Sequence, residues 1–302
     1  MIDPSVRFPG EVTLDWVVRG AGGVRVVGGR RMTGGLTSSV HRLTVADRAG
    51  SRRHVVLRRW VAVDLTRGRR RAAREARVLE ALSGSGIPAP RLIDVSDGAD
   101  TEGVPAVLMT RVPGHVFLTP SDPADWLKQV ADVLPVVHGV GVSADTNRPD
   151  AWTRAWPTPD WIRDPAVWRG AQDVLMQPPP ASPSCFIHTD FQHFNLLWQR
   201  ERLTGIVDWN RPGIGSPDLD VGHCRLNLAV LHSVDWAERF RLAYESTAGR
   251  KVEPWFDLYR LTQFTSDWQR FIPLQVSGRA EVDIAGIPGR VEGLITSVLD
   301  RL

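Results

Sequence analysis

Short apolar runs separated by glycine-rich turns fill the first third of the chain, a pattern typical of β-strands. The runs predict strands at 24–27, 40–45, 54–60 and 104–111. Residues 65–83 instead place alanines and leucines at helical spacing, from Ala72 to Leu82, and predict one helix that ends before Gly84. Strands gathered around a single helix predict a small α+β unit.

Helical periodicity dominates from about residue 120 onward. The predicted helices are 126–138, 220–232, 236–246, 253–270 and 289–302. Two short apolar strands, 184–187 and 203–207, bracket a loop that resembles a hairpin. The sequence therefore predicts an α+β protein with a strand-rich domain at 1–112 and a mainly helical domain at 113–302, joined through residues 110–114.

The overall composition is that of an ordinary globular protein, with 42% hydrophobic and 24% charged residues. No apolar run approaches the ~20 residues that a membrane span needs. The start of the chain shows neither the basic nor the apolar region of a secretory signal, and the two cysteines have no zinc-binding spacing. We expect a cytoplasmic protein without a membrane partner, as a monomer or weak dimer.

Basic residues are concentrated near the N-terminus, where residues 1–80 hold 17 arginines and 7 acids. Such a concentration can indicate nucleic-acid binding. However, the whole chain contains only two lysines, and no aromatic residues interleave with the arginines to stack on bases. A solvated helix face in an arginine-preferring protein explains the run better, so we expect no nucleic-acid partner.

Polar residues suited to phosphoryl transfer follow the strand at 184–187. Asp190 could orient an acceptor hydroxyl and take its proton, and Asn195 and Asp208 carry hard oxygen ligands for Mg²⁺. Asn195 lies five positions after Asp190, so both side chains can face one cleft, and a hairpin would return Asp208 beside them. His193, in the middle of this loop, could touch phosphate or acceptor or could equally face solvent.

These residues resemble the aminoglycoside phosphotransferase-like kinases, the phosphotransferase enzyme family. Its H-x-D-x-x-x-x-N signature is matched by His188, Asp190 and Asn195, and its apolar-apolar-D-[WF] element by residues 206–209. Its G-x-P-x-x-D element is matched by residues 215–220. The resemblance implies a bilobal protein-kinase-like fold, with a small antiparallel N-lobe and a larger helical C-lobe. It also implies that Asp190 is the catalytic base, that Asn195 and Asp208 bind magnesium, and that Asp220 braces the loop. We place His188 in the catalytic group as a packed, hydrogen-bonding scaffold.

The N-terminal domain offers candidates for nucleotide binding. A glycine turn could cover the phosphates, the strand at 55–58 matches the kinase strand that carries a phosphate-binding lysine, and residues 108–112 match the segment whose backbone binds adenine. No lysine precedes Lys128, so Arg58, paired with Glu75 of the following helix, is the candidate for that role. The predicted nucleotide-binding residues are Gly34, Gly35, Thr37, Ser38, Val56, Arg58, Glu75, Met109 and Arg111.

The predicted function is transfer of the γ-phosphoryl group of ATP or GTP to a hydroxyl of an antibiotic, aminoglycoside or related, or of a small metabolite. The missing lysine leaves a catalytically silent, nucleotide-binding regulator as the alternative. A metallohydrolase built on His188, Asp190 and His193 lacks the further ligands that it would need. Tryptophans between residues 150 and 180 could line an acceptor site or simply pack the helical domain.

Overall fold

A computed structural model describes residues 8–32, 38–141, 157–264, 268–276 and 278–302 of the chain. The chain divides into two compact units, Met1–Pro113 and Gly114–Leu302. The elements of the first unit are α1 (Glu11–Gly20), β1 (Arg25–Arg31), β2 (Ser39–Ala46), β3 (Arg52–Arg59), α2 (Leu65–Leu82), β4 (Leu92–Ser96) and β5 (Ala106–Thr110).

The five strands of the first unit form one antiparallel sheet in the order β1-β2-β3-β5-β4. Alternate residues of a strand face opposite sides of the sheet. Val55 and Leu57 of β3 therefore share a core with Trp16 and Val17 of α1. Val56, which lies between these two strand residues, and Arg58, which follows Leu57, face the other side of the sheet, where α2 packs.

The second unit is mainly helical. Its elements are α3 (Pro123–His138), α4 (Pro165–Leu175), β6 (Cys185–Ile187), β7 (Leu196–Gln199), β8 (Arg202–Ile206), β9 (Gly213–Gly215), α5 (Asp218–Leu231), α6 (Val234–Ala248), α7 (Pro254–Leu261), α8 (Trp268–Val276) and α9 (Ile287–Leu299). Nearly every residue of α5 is buried, because α6, α7 and α9 all pack against it. Among the described residues, no helix is both long and apolar enough to cross a membrane.

The structure corrects two details of the predicted elements. The strands predicted at 184–187 and 203–207 exist as β6 and β8, but β6 pairs with β9 and β8 pairs with β7, both antiparallel. The single helix predicted at 253–270 is interrupted, since α7 ends at Leu261 and α8 begins at Trp268. Apolar periodicity continues across both helices, so the sequence pattern did not reveal the break.

Candidate active site

His188 follows the buried strand β6 and is itself fully buried. Its Nε2 donates a hydrogen bond to the carbonyl oxygen of Val207, 3.0 Å away, and its Nδ1 accepts from the backbone N–H of Asp190 at 3.3 Å. The ring of Trp209 lies 4.4 Å from the imidazole, centroid to centroid. With both ring nitrogens engaged by backbone, the imidazole is arranged to fix the loop rather than to exchange protons.

Asp220 ties this loop to the first turn of α5. Its two carboxylate oxygens accept the backbone N–H groups of His188 and Thr189, each at 2.7 Å. Burial alone would raise the pKa of Asp220, but hydrogen bonds and charge from His138 and His188 lower it. Thr189 adopts a φ of +67°, which a β-branched residue rarely takes, and the bonds to Asp220 hold it there.

The Asp190 carboxylate is held by three side chains. Oδ1 accepts hydrogen bonds from Nε2 of His223 at 2.9 Å and Nε2 of Gln192 at 2.8 Å, and Oδ2 accepts from Nδ2 of Asn195 at 3.1 Å. Partial burial acts to raise the pKa of Asp190, but hydrogen bonding and charge from His223, with help from His188 and Gln192, lower it to about 2. Asp190 is therefore ionised at neutral pH.

Asn195 and Asp208 lie at the same end of the β7–β8 hairpin. The carbonyl oxygen of Asn195 accepts the N–H of Val207 at 2.9 Å, one residue before Asp208. Asn195 uses its amide nitrogen on Asp190, which leaves the amide oxygen as the atom to face a cation. Asp208 adopts a φ of +70° and accepts a hydrogen bond from Asn210 at 2.6 Å.

This pair of oxygen ligands suits Mg²⁺, which binds through one or two carboxylates and completes its shell with water and substrate phosphate. Within the part of the chain that the structure describes, no group of three or more His, Cys, Asp or Glu side chains is arranged to hold a metal. The carboxylate of Asp208 and the amide oxygen of Asn195 are of the chemical type that fits a magnesium ion brought in by a nucleotide.

His193 is fully buried, so the interpretation that it faces solvent is wrong. Neither of its ring nitrogens has a hydrogen-bond partner among the described residues, and the ring of His232 lies 6.0 Å away. Burial, with the nearby His232 and His223, lowers the pKa of His193 well below its usual value. The side chain is a neutral, packed imidazole.

Several nucleotide-binding candidates meet in the first unit. Val56 and Met109 lie directly opposite each other on β3 and β5. Nε of Arg58 lies 3.4 Å from a carboxylate oxygen of Glu75, and both side chains are nearly buried. Ser38 is buried just before β2, and Arg111 is half-buried just after β5. The remaining candidates lie outside the described residues: Gly34, Gly35 and Thr37.

Two of the tryptophans considered for an acceptor rim pack inside the protein instead. Trp168 is fully buried in α4, and Trp161 contacts it edge-to-face with the ring centroids 6.3 Å apart. Trp161 also meets the ring of Phe264 at 5.6 Å. Trp152 and Trp156 lie outside the described residues. Packing, one of the two interpretations left open by the sequence, is thus correct for Trp161 and Trp168.

Sequence reasoning missed three side chains that contact the loop. They are Gln192 and His223, which donate to Asp190, and Arg260 of α7, whose Nη2 donates to the carbonyl oxygen of Thr189 at 3.2 Å. The only available signal was the position of His223 three residues after Asp220, which places both on one face of a helix. Nothing in the sequence indicated that this face meets the loop.

Comparisons with known proteins identify the family and the fold of this chain. The sequence profile of the phosphotransferase enzyme family matches residues 31–261. The chain is 26% identical over 206 residues to viomycin phosphotransferase of Streptomyces vinaceus, covering 59% of this chain and 71% of that protein. It is 24% identical over 249 residues to mouse acyl-CoA dehydrogenase family member 10, covering 75% of this chain but only 23% of that much longer protein.

The fold is shared with solved aminoglycoside phosphotransferases. The structure superimposes on a thermostable mutant of APH(4)-Ia, solved with ADP and hygromycin B, with a TM-score of 0.63 at 17% identity, covering 96% of this chain and 98% of that one. The first unit is a small antiparallel sheet with helices, and the second is larger and mainly helical, as the protein-kinase-like fold requires. The chain belongs to the phosphotransferase enzyme family.

Proposed function

We propose that this protein is a small-molecule kinase that transfers the γ-phosphoryl group of ATP or GTP to a hydroxyl group. The observation that carries the proposal is the Asp190 carboxylate, which is ionised at neutral pH and held by three donors on a loop tied to α5. Such a carboxylate is what a phosphoryl acceptor needs as its base. The cytoplasmic location and the monomeric or weakly dimeric state stay predictions.

Asp190 acts as the base in this reaction. The acceptor hydroxyl donates its hydrogen to the carboxylate while its oxygen forms a bond to the γ-phosphorus. The bond from that phosphorus to the bridging oxygen breaks, and its electron pair leaves with the nucleoside diphosphate. His188 and Asp220 hold the loop so that the carboxylate keeps this position.

Asn195 and Asp208 would hold magnesium, which neutralises the charge of the nucleotide phosphates when bound. Arg58, fixed by Glu75, would contact the phosphates in the role of the usual lysine, with Gly34, Gly35, Thr37 and Ser38 contributing a covering turn. Val56 and the backbone of Met109 to Arg111 would bind the base of the nucleotide. The support for this part is the facing pair Val56–Met109 and the buried Arg58–Glu75 pair.

The acceptor class that we propose is an antibiotic, an aminoglycoside or a related compound, or otherwise a small metabolite. The support is the similarity to viomycin phosphotransferase and the shared fold with a structure that contains hygromycin B. The acceptor screen therefore begins with viomycin and hygromycin B and continues through other aminoglycosides, macrolides and small alcohols.

The test is release of nucleoside diphosphate from Mg-ATP and Mg-GTP with each acceptor in turn. We expect at least one acceptor to raise the rate well above its basal value. Asp190→Ala should lower turnover about 100-fold or more, since a general base contributes roughly 10²- to 10⁴-fold. Its thermal stability and Mg-nucleotide binding should stay close to those of the wild type. Full turnover by Asp190→Ala would remove this residue from the catalytic role.

The absence of lysine before Lys128 favours a second candidate, a nucleotide-binding regulator without catalytic activity. The diphosphate-release assay distinguishes this regulator from the kinase. A regulator would show Mg-nucleotide-dependent stabilisation with no diphosphate release for any acceptor, and Asp190→Ala would change neither property. We favour the kinase because a silent domain has no need of an ionised Asp190 with Asn195 and Asp208 beside it.

A further inference from the structure

We propose that His223 is a positioning residue for the proposed base, Asp190. His223 orients the Asp190 carboxylate so that Oδ2 is the oxygen that meets the acceptor hydroxyl. The inference rests on the proposed kinase function and adds a residue that the family signature does not contain. Nε2 of His223 lies 2.9 Å from Oδ1 of Asp190. An ionised carboxylate only accepts hydrogen bonds, so Nε2 must carry the proton of this contact.

The two oxygens of Asp190 are not equivalent. Oδ1 accepts from both His223 and Gln192, whereas Oδ2 accepts, within the part of the chain that the structure describes, only from Asn195. A carboxylate oxygen has about two good acceptor positions. Oδ1 is therefore fully used, and the position remaining on Oδ2 is the one that can receive the hydrogen of a substrate hydroxyl.

The helix α5 reaches the catalytic loop at two points that are one turn apart. Asp220 accepts the backbone N–H groups at the start of the loop, and His223, three residues later on the same helix face, holds the carboxylate. The backbone of the loop and the carboxylate of Asp190 are thus both held by the same helix, α5. A free carboxylate on a loop would rotate about its side-chain bonds and lose this alignment.

The neighbouring helix α7 keeps α5 in place. A side chain at Gly222, next to His223, would approach Asp257 and Arg260 of α7 within 3.2 to 3.3 Å, so glycine permits the close packing of the two helices. Arg260 donates to the carbonyl oxygens of Leu219 at 3.0 Å and Thr189 at 3.2 Å. Arg260 therefore joins α5 to the loop through one side chain of α7.

The test compares His223→Phe, which keeps a ring but removes the donor, with His223→Gln, which retains an N–H donor. The probe is Mg-ATP alone, with water in place of the acceptor, and the readouts are kcat and KM for ADP release. We expect His223→Phe to lower kcat about 10- to 100-fold, because a misplaced group costs up to roughly 10²-fold, with KM within about twofold of wild type. His223→Gln should recover most of the lost kcat.

Asn227→Ala is the matched control, one turn further along α5, because Asn227 donates to the carbonyl oxygen of His223. Its amide nitrogen also lies 3.4 Å from Nε2 of His223, but both nitrogens carry hydrogen, so the variant removes no hydrogen bond from the imidazole. It should keep kcat within about twofold of wild type. Thermal unfolding and the Mg-ATP-induced rise in melting temperature identify any variant that has lost its fold. Wild-type kcat in a folded His223→Phe would overturn the role of His223 alone. If wild type shows no turnover with Mg-ATP or Mg-GTP, either with water or with any acceptor of the screen, the kinase assignment is wrong and this inference falls with it.

Discussion

At the scale of single residues, the protonation state of buried groups decides what they can do. Asp190 is ionised because hydrogen-bond donors surround it, whereas His193, in the same loop, is neutral because burial excludes its charge. Two polar residues three positions apart thus have opposite charge behaviour. The sequence contains both residues but not the surroundings that set these states.

His41 gives a prediction about pH. It is 1% exposed, and burial together with Arg59 and Arg31 lowers its pKa from 6.5 to about 4. Between pH 6.5 and pH 4 the unfolded chain therefore binds more protons at this position than the folded one, and acidification in this window lowers the free energy of unfolding. The expected contribution is about 1.4 kcal/mol per pH unit. Urea unfolding of wild type and His41→Asn at several pH values should show a shallower acid-side loss in the variant.

Ser39→Ala is the control for this comparison. It removes the hydroxyl 3.4 Å from Nδ1 of His41 but leaves the imidazole buried. The acid-side loss of stability should stay as steep as in wild type. An unchanged pH dependence in His41→Asn would mean that other groups produce the effect.

At the scale of elements, ion pairs inside the second unit join α5 to its neighbours. Arg225 of α5 is fully buried and contacts the carboxylates of Asp257 on α7 and Glu238 on α6. Arg301, after α9, also contacts Asp257. Since α5 carries Asp220 and His223, this network helps to fix the helix that holds the Asp190 loop.

Arg225→Met should destabilise the protein strongly, because it leaves Asp257, 1% exposed, with less compensation for its buried charge. Removing one partner of a buried pair costs about 3–5 kcal/mol. Urea unfolding monitored by tryptophan fluorescence measures the change. Arg239→Ala is the control, since its pair with Asp235 is exposed and should be worth less than about 1 kcal/mol. Equal losses in both variants would show that burial does not set the strength of these pairs.

At the scale of the whole molecule, nucleotide binding should appear as stabilisation of the folded chain. Mg-ATP or Mg-GTP at 100 times its dissociation constant would stabilise by about 2.7 kcal/mol, which is a rise of roughly 4 °C in melting temperature for a chain of this length. Arg58→Ala should reduce this rise more than Arg59→Ala, because Arg58 lies on the strand face of Val56 and pairs with Glu75, whereas Arg59 lies on the opposite strand face.

The readout in this experiment is the nucleotide-induced rise and not the melting temperature itself. Arg58→Ala also leaves Glu75, 1% exposed, without this partner and will lower the melting temperature on its own. Arg58→Lys is the matched variant, which retains a positive charge and should keep part of the rise. A larger reduction in Arg59→Ala would reassign the phosphate contact, and no rise with either nucleotide in wild type would contradict nucleotide binding.

Several of the strands and helices, and the residues of the Asp190 loop, could be identified from the sequence itself. Alternation and helical spacing are local properties, so they predicted β2, β3, α2 and α3 within a few residues. The spacing of His188, Asp190 and Asn195 is also local, because a short loop fixes how its side chains can converge. For this reason the α+β fold and the family resemblance were correct predictions.

Only the tertiary structure decided which distant segments meet. It paired β6 with β9 and β7 with β8, since apolar alternation shows which face of a strand is buried but not which strand lies beside it. It placed His223 against Asp190 from 33 positions away, buried His193, and packed Trp161 and Trp168 inside the helical unit. Such contacts depend on how helices stack, and no local pattern records that stacking.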